Sequence, residues 1–224
     1  MVDNEQYWVK RHEQLEGSLA SVGEIGTPEA ENRQRYARKK RRVFNLLREI
    51  GMTDLAGLSV LDAGCGTGMI SEFLYALGAD VHGVDASPIA IAEACDRASP
   101  NGRDDNRFVT GSIIDFRFDQ RFDLTFCLDV LYHVVDDTNW ERTLTNLLAH
   151  TKPGGHLIII ERLKPAAERP ASHVRLRTRA MYDQVLGAAG GINRTPKNQP
   201  GFLVYVKPDA EAAAPTTVGL IPLQ

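Results

Sequence analysis

Between residues 58 and 160, short apolar runs alternate with longer stretches in which apolar residues recur every three or four positions. The runs are Leu58 to Leu61, broken only by Ser59, then Val81 to Asp85, Arg107 to Thr110, Phe122 to Leu128, and His156 to Glu161. Their length and composition fit buried strands. The periodic stretches between them fit helices. The first starts at Met69 and runs to about Leu77. The second opens with Ser87 as N-cap and Pro88 at the first helical position, and ends near Ala98. The third spans Asn139 to His150 with Trp140, Leu144, Leu147 and Leu148 on one face. Residues 99–106 are polar and read as a surface loop. Strand and helix in strict alternation predict an α/β, doubly wound, mostly parallel sheet with right-handed crossovers.

The flanks read differently. Residues 5 to 16 form a short amphipathic helix, and a loop follows through Ser18, Gly23, Gly26 and Pro28. A long helix from Glu29 to Ile50 presents Tyr36, Val43, Phe44, Leu47 and Ile50, and Gly51 closes it. After the core, Lys164 to Ser172 reads as a mobile loop, Arg177 to Ala189 as a helix, and Phe202 to Val206 as a strand. Ile192 to Lys197 is a poor strand candidate. The expected organisation is a helical cap or lid over 1–50, the main domain over 51–208, and a loosely ordered tail over 209–224.

One stretch stands apart from this pattern. Val60-Leu61-Asp62-Ala63-Gly64-Cys65-Gly66-Thr67-Gly68 ends a strand in three alternate glycines and leads straight into a helix. Glycine there permits positive φ and lets bare backbone N–H groups approach a ligand at a helix N-terminus. A dinucleotide fingerprint, G-x-G-x-x-G, would need glycine where Met69 stands. Asp85 ends the second strand about twenty residues after the glycines, where open α/β sheets set a carboxylate against ribose hydroxyls.

These residues resemble motif I of the class I S-adenosylmethionine-dependent methyltransferases, close to V-L-D-x-G-C-G-T-G. The turn Lys152-Pro153-Gly154-Gly155 before the most apolar strand resembles another of that family's signatures. Tyr7-Trp8-x-x-Arg11, Leu128 to His133 and His173 to Arg177 look like a bacterial subgroup acting on sugars, lipids or other secondary metabolites. The resemblance implies a Rossmann-like sheet finished by an antiparallel hairpin, of which only Phe202–Val206 is convincing in sequence. It implies S-adenosyl-L-methionine as cofactor and S-adenosyl-L-homocysteine as product. Gly64 and Gly66, with Cys65 between them, would pack against the methionine part, and Asp62 would place its amino group. Asp85 would hold the ribose, and Ala86 would lie against adenine. Ile113 and Leu128 complete the cofactor set. Ser112 stands where many relatives carry Asp, so its hydroxyl is a weaker adenine contact.

Composition narrows the function classes. A chain of 224 residues accommodates one α/β domain, and a net charge of −3 argues against nucleic acid or an anionic membrane as main partner. No apolar run reaches the eighteen or so residues of a membrane span. Cys65, Cys95 and Cys127 fit no zinc spacing and no disulfide pairing, so no metal is expected and the chain reads as cytoplasmic. The expected reaction is methylation of a small-molecule acceptor, at oxygen before nitrogen. His133 is the leading base, and the rival reading is a core histidine bonded to a carbonyl. Asp129, Asp136 and Asp137 are alternatives, as base or as groups orienting His133, and Asp129 could also meet the cofactor's amino group. Tyr7, Trp8, Arg11 and Tyr132 are candidate lid and acceptor residues, or core anchors. The run Arg38-Lys39-Lys40-Arg41-Arg42 is either a solvated helix face or an attractor of an anionic acceptor. A nucleic-acid or protein methyltransferase, a non-catalytic S-adenosylmethionine-binding subunit and a nicotinamide oxidoreductase are the rivals.

Overall fold

The computed structural model describes residues 4–23, 25–98 and 107–209. The polar stretch 99–106 and the tail 210–224 lie outside the described residues. The chain begins with helices α1 (Asn4–Gln14) and α2 (Glu29–Glu49). It then alternates β1 (Ser59–Ala63), α3 (Met69–Ala76), β2 (Asp80–Asp85), α4 (Pro88–Ala98), β3 (Phe108–Thr110), β4 (Phe122–Leu128), α5 (Asp137–His150) and β5 (Thr151–Ile160). A small hairpin, β6 (Glu168–Ala171) and β7 (Val174–Leu176), precedes α6 (Arg179–Ala188), β8 (Ile192–Asn193) and β9 (Phe202–Val206).

Seven strands form one sheet in the order β3-β2-β1-β4-β5-β9-β8. β1, β2, β3, β4 and β5 pair in parallel, and β9 runs antiparallel to both β5 and β8. The predicted doubly wound sheet is therefore present, with its order reversing between β1 and β4. Successive residues on a strand face opposite sides, and the two cores follow from that. Val60, Ile158 and Ile160 point to the face covered by α2, α3 and α4, where Leu46, Leu47 and Leu74 are fully buried. Leu61, Leu157 and Ile159 point to the other face, under Trp140, Leu144, Leu147 and Leu186 of α5 and α6.

Three local readings need correction. Ile192–Asn193, discounted as a strand, pairs with Val206 and Tyr205 and completes the antiparallel hairpin. Two residues are too few for a periodic signal. Lys164 to Ser172 is not all loop, because Glu168–Ala171, mostly exposed and with no apolar alternation, pairs with Val174–Leu176. Lys152–Gly155 lies inside β5, at a register shift opposite Phe122 and Leu124, so the glycines accommodate a bulge. His133 sits on a short 3₁₀ turn, Leu131–His133, ahead of α5. The caps follow prediction more closely. The Ser87 hydroxyl accepts the Ala90 N–H at 3.3 Å, and Gly51 takes φ +79° after α2.

α5 and the start of α6 are joined by an unusual buried cation. The Arg177 side chain is fully buried, with its guanidinium 4.4 Å from the Trp140 ring centroid. It donates to Asp137 Oδ1 at 2.9 Å and to the Val134 carbonyl at 2.9 Å. Burial lowers the pKa of Arg177, and Asp137 opposes that. Asp137 is half exposed, so what is lost on breaking this pair is the charge-assisted hydrogen bonds and the stacking on Trp140, about 1.5–3 kcal/mol. Arg177→Ala is expected to lose stability of that order in urea titration. Arg177→Lys should recover only part of it, because a lysine ammonium cannot both stack on Trp140 and fork to Asp137.

Candidate active site

The sheet's switch point leaves a crevice at the carboxyl ends of β1 and β4, where ligands collect in folds of this topology. A cavity of about 920 Å³ opens there. Its floor is the turn between β1 and α3. Gly64, Gly66 and Gly68 take φ of +76°, +52° and +76°, a left-handed region that favours glycine. The N–H groups of Gly64 and Cys65 both donate to the Val84 carbonyl, at 2.8 and 3.1 Å, which ties the turn to β2. Gly66 donates to Asp85 Oδ2 at 2.9 Å, and Ser87 donates to Asp85 Oδ1 at 3.0 Å. Burial raises the Asp85 pKa, while those two N–H groups and nearby His12 hold it down.

A second acidic group stands beside the first. Asp62, only 3% exposed, accepts the Ser71 hydroxyl at 2.7 Å. Burial pushes its pKa up to about 6, against the pull of Ser71 and of the Lys39 charge. Asp129 ends β4 with φ +61°, the one positive value among the described non-glycine residues. Its carboxylate is 2.6 Å from Lys39 Nζ. Burial alone would lower the Lys39 pKa, but Asp129, Tyr36 and Asp62 more than offset it and raise the value.

The opposite wall is aromatic. His133 Nδ1 lies 3.0 Å from the His173 carbonyl. A carbonyl only accepts, so the proton of the neutral ring sits on Nδ1 and Nε2 is the acceptor. Burial lowers the His133 pKa to about 4, and the His173 carbonyl only partly opposes it. Trp8 meets His133 edge-on at 4.8 Å, and Tyr7 stacks on the His173 ring at 4.8 Å. Both aromatics come from α1, which lies over the cavity and is anchored at several points. Asn4 donates to the His133 carbonyl, and Ser112 bonds Glu5. Arg11 stacks on Trp8 at 4.7 Å and donates to the carbonyls of Ala20 and Gly23. That clamp holds Val22 against Gly66, where an added Cβ would come within 2.9 Å of Val22 Cγ1.

Residues 60–155 match a family profile described as a methyltransferase domain. That segment is similar to a methyltransferase domain. It is 29% identical over 171 residues to a ubiquinone biosynthesis O-methyltransferase of Ralstonia nicotianae, covering 76% of this chain and 66% of that one. The protein of the same name from Coxiella burnetii is 32% identical over 154 residues, covering 69% and 59%. The chain thus spans less than two thirds of the length of these relatives. Among solved structures, magnesium protoporphyrin IX methyltransferase from Synechocystis PCC 6803, with bound SAM, superposes with a TM-score of 0.66 at 21% identity, covering 92% of this chain and 96% of that one. The N-methyltransferase NodS of Bradyrhizobium japonicum, in complex with S-adenosyl-l-homocysteine, gives 0.60 at 19%, covering 89% and 99%. These likenesses establish the class I methyltransferase fold.

The cavity brings together Asp62, Gly64, Cys65, Gly66, Asp85, Ala86, Ile113, Leu128, Asp129, Tyr132 and His133, with Tyr7, Trp8 and Arg11 above them. Ser112 lies outside the cavity wall, as does Asp137. The Ser112 hydroxyl is engaged by Glu5 and by the Ile114 N–H. Asp136 and Asp137, considered as bases, are otherwise occupied. Asp136 caps α5 through the Asn139 N–H at 2.9 Å, and Asp137 pairs with Arg175 and Arg177. Of the basic run, Lys39 alone lines the cavity, while Lys40 pairs with Glu72 and Arg42 with the Pro200 carbonyl. Sequence reading missed Glu5, His12 and Arg162 in the cavity wall. The first two were findable, because Glu5, Trp8 and His12 share one helical face at i, i+3 and i+7. Arg162 had no such signal.

Two outcomes test this geometry. A Cβ on Gly64 would fall 2.5 Å from Val130 Cγ2, and β-branched valine cannot turn aside cheaply. With the left-handed backbone added, Gly64→Ala is expected to cost about 2–4 kcal/mol in denaturant titration. For His133 the folded value of about 4 lies below the unfolded value near 6.5. Its neutral, buried form therefore supports the fold above pH 6.5, and that support is lost as pH falls toward 4. His133→Asn should lose less stability than wild type across that window, by about 1–3 kcal/mol, in melts taken at successive pH values.

Proposed function

We propose that the chain transfers a methyl group from S-adenosyl-L-methionine to a small-molecule acceptor, at oxygen, releasing S-adenosyl-L-homocysteine. The observation that carries this reading is a single cavity with a nucleoside-type floor and a carbonyl-oriented histidine facing it. The residues fit the cofactor. Asp62, whose raised pKa marks a carboxylate short of positive charge, is suited to a primary ammonium. Asp85 receives one N–H on each oxygen and retains lone pairs for two ribose hydroxyls. Ala86 and Ile113 offer apolar walls to a base. The named relatives are O-methyltransferases, and neighbours of this fold were solved with SAM or S-adenosyl-l-homocysteine bound.

When bound, S-adenosylmethionine supplies an electrophilic methyl carbon with a neutral leaving group. The chain's own part is to position the acceptor, exclude water and take a proton. Nε2 of His133 takes the acceptor's hydroxyl proton, and the His173 carbonyl, bonded at Nδ1, stabilises the imidazolium that forms. Asp129 acts as a positioning group. Its carboxylate is held by Lys39, and the pair sets the cavity edge next to Tyr132. α1 serves as the lid over residues 51–208, contributing Tyr7 and Trp8 to the acceptor wall. Among the described residues no helix is long and apolar enough to cross a membrane. Three unpaired cysteines fit a reducing, cytoplasmic setting.

Incubation with methyl-labelled S-adenosylmethionine and fractionated small-molecule extract is expected to yield a labelled, alkali-stable ether product. Label in RNA or protein would instead favour a macromolecular acceptor. S-adenosylhomocysteine binding without any labelled product would favour a non-catalytic subunit. His133→Ala should lower kcat by about 10²–10⁴-fold with cofactor affinity little changed. In wild type, the acid limb of kcat/KM should fall well below pH 6.5, because burial keeps His133 neutral down to about 4.

A further inference from the structure

α1 carries a polar side chain that the methyl-transfer reading leaves without a task. His12 is 3% exposed, the most buried residue of its helix, and lines the cavity beside Gly66, Asp85 and Ala86. Among the described residues neither ring nitrogen finds a hydrogen-bond partner. Buried imidazoles are normally satisfied, since an unmade bond to a desolvated donor or acceptor is costly. His133, His150 and His173 do not share this condition: the first two each face a carbonyl through Nδ1, and the His173 ring is stacked and less buried. Burial lowers the His12 pKa; Asp85 and Glu93 oppose that, and Arg11 adds to it. The Trp8 carbonyl of its own helix is the smallest influence and does not reach hydrogen-bond geometry.

From this arrangement we infer that His12 is a ribose-binding residue of α1, sharing the sugar's hydroxyls with Asp85. The inference rests on the S-adenosyl reading of the cavity. The chemistry is complementary. A carboxylate only accepts, so a hydroxyl that donates to Asp85 still has lone pairs to satisfy. An imidazole N–H supplies that donor, and one side chain cannot replace the other. The helix is held in place at both ends for this role, by Glu5 on Ser112 and by Arg11 on the Ala20 and Gly23 carbonyls. The seating of α1 thus sets His12 where the sugar would lie. A nucleoside lacking the bonded hydroxyl would leave His12 with nothing to bind.

Isothermal titration calorimetry with S-adenosylhomocysteine and its 2′-deoxy and 3′-deoxy analogues tests this on the full chain. For His12→Phe, S-adenosylhomocysteine should bind roughly tenfold more weakly than to wild type. For the analogue lacking the bonded hydroxyl, variant and wild type should bind alike. The ligand-free variant should melt no lower than wild type, since phenylalanine removes an unsatisfied buried group. If it melts lower, His12→Gln, which restores a donor, takes its place and should bind between the two. Unchanged affinity for S-adenosylhomocysteine would overturn the inference, and so would an equal loss on all three ligands, which would mean that His12 only packs the helix. If wild type itself binds none of the three, the S-adenosyl reading falls, and the inference with it.

Discussion

The hydrogen bond from the Gly66 N–H to the Asp85 carboxylate ties the glycine turn to the acid at the end of the second strand. It forms only because three glycines carry the chain through left-handed backbone, which turns successive N–H groups toward β2 rather than along β1. The Val84 carbonyl receives two of them and Asp85 the third. With the turn closed in this way, α3 starts at Met69 and packs on β2, and the acid at the end of β2 is held facing the crevice. Val22 then has a surface to rest on, and the segment bearing it is clamped by Arg11. Geometry therefore passes outward from the turn: to the strand ends, to the helix above them, and to the aromatic wall that this helix brings down.

The electrostatics of the crevice are lopsided in a consistent way. Asp62, Asp85, Asp129 and Glu161 converge on the carboxyl ends of β1, β2, β4 and β5, and desolvation raises the pKa of three of them. Lys39 answers Asp129, while Glu161 is turned inward onto the Leu131 N–H. That leaves Asp62 and Asp85 as the acids with capacity to spare on the cavity side. A site of this kind favours a ligand that brings its own positive charge and its own hydroxyls. His133, across from it and kept neutral by burial, does not compete for those acids.

The alternating pattern was enough to read the order of the main elements, because the central parallel strands β1, β4 and β5 are largely buried on both faces and the helices on one. The glycine turn, Asp85 and the cavity residues from β4 were legible for a related reason: each sits at a fixed offset from a strand end. What escaped was whatever depends on the path of the chain between elements. Ile192–Asn193 is a strand only because β9 lies beside it, and β6 and β7 pair through the backbone with little apolar signal. Lys39 could not be singled out from its basic neighbours, since its selection depends on which face of α2 meets Asp129. Ser112 was read as a ligand contact, but a glutamate more than a hundred positions away in sequence reaches it first.

The sheet ends in very short strands on both sides. β8 has two residues and β3 has three, against ten for the central β5. A strand's free edge is a row of unpaired donors and acceptors that another chain can adopt as a template. Here the longest ladders lie inside the sheet, and each border offers at most a few such groups. Ile192, although 40% exposed, sits on a border too brief to seed a cross-chain ladder. The weak strand that completes the fold thus also guards its flank, keeping a strongly apolar sheet from growing into its neighbours.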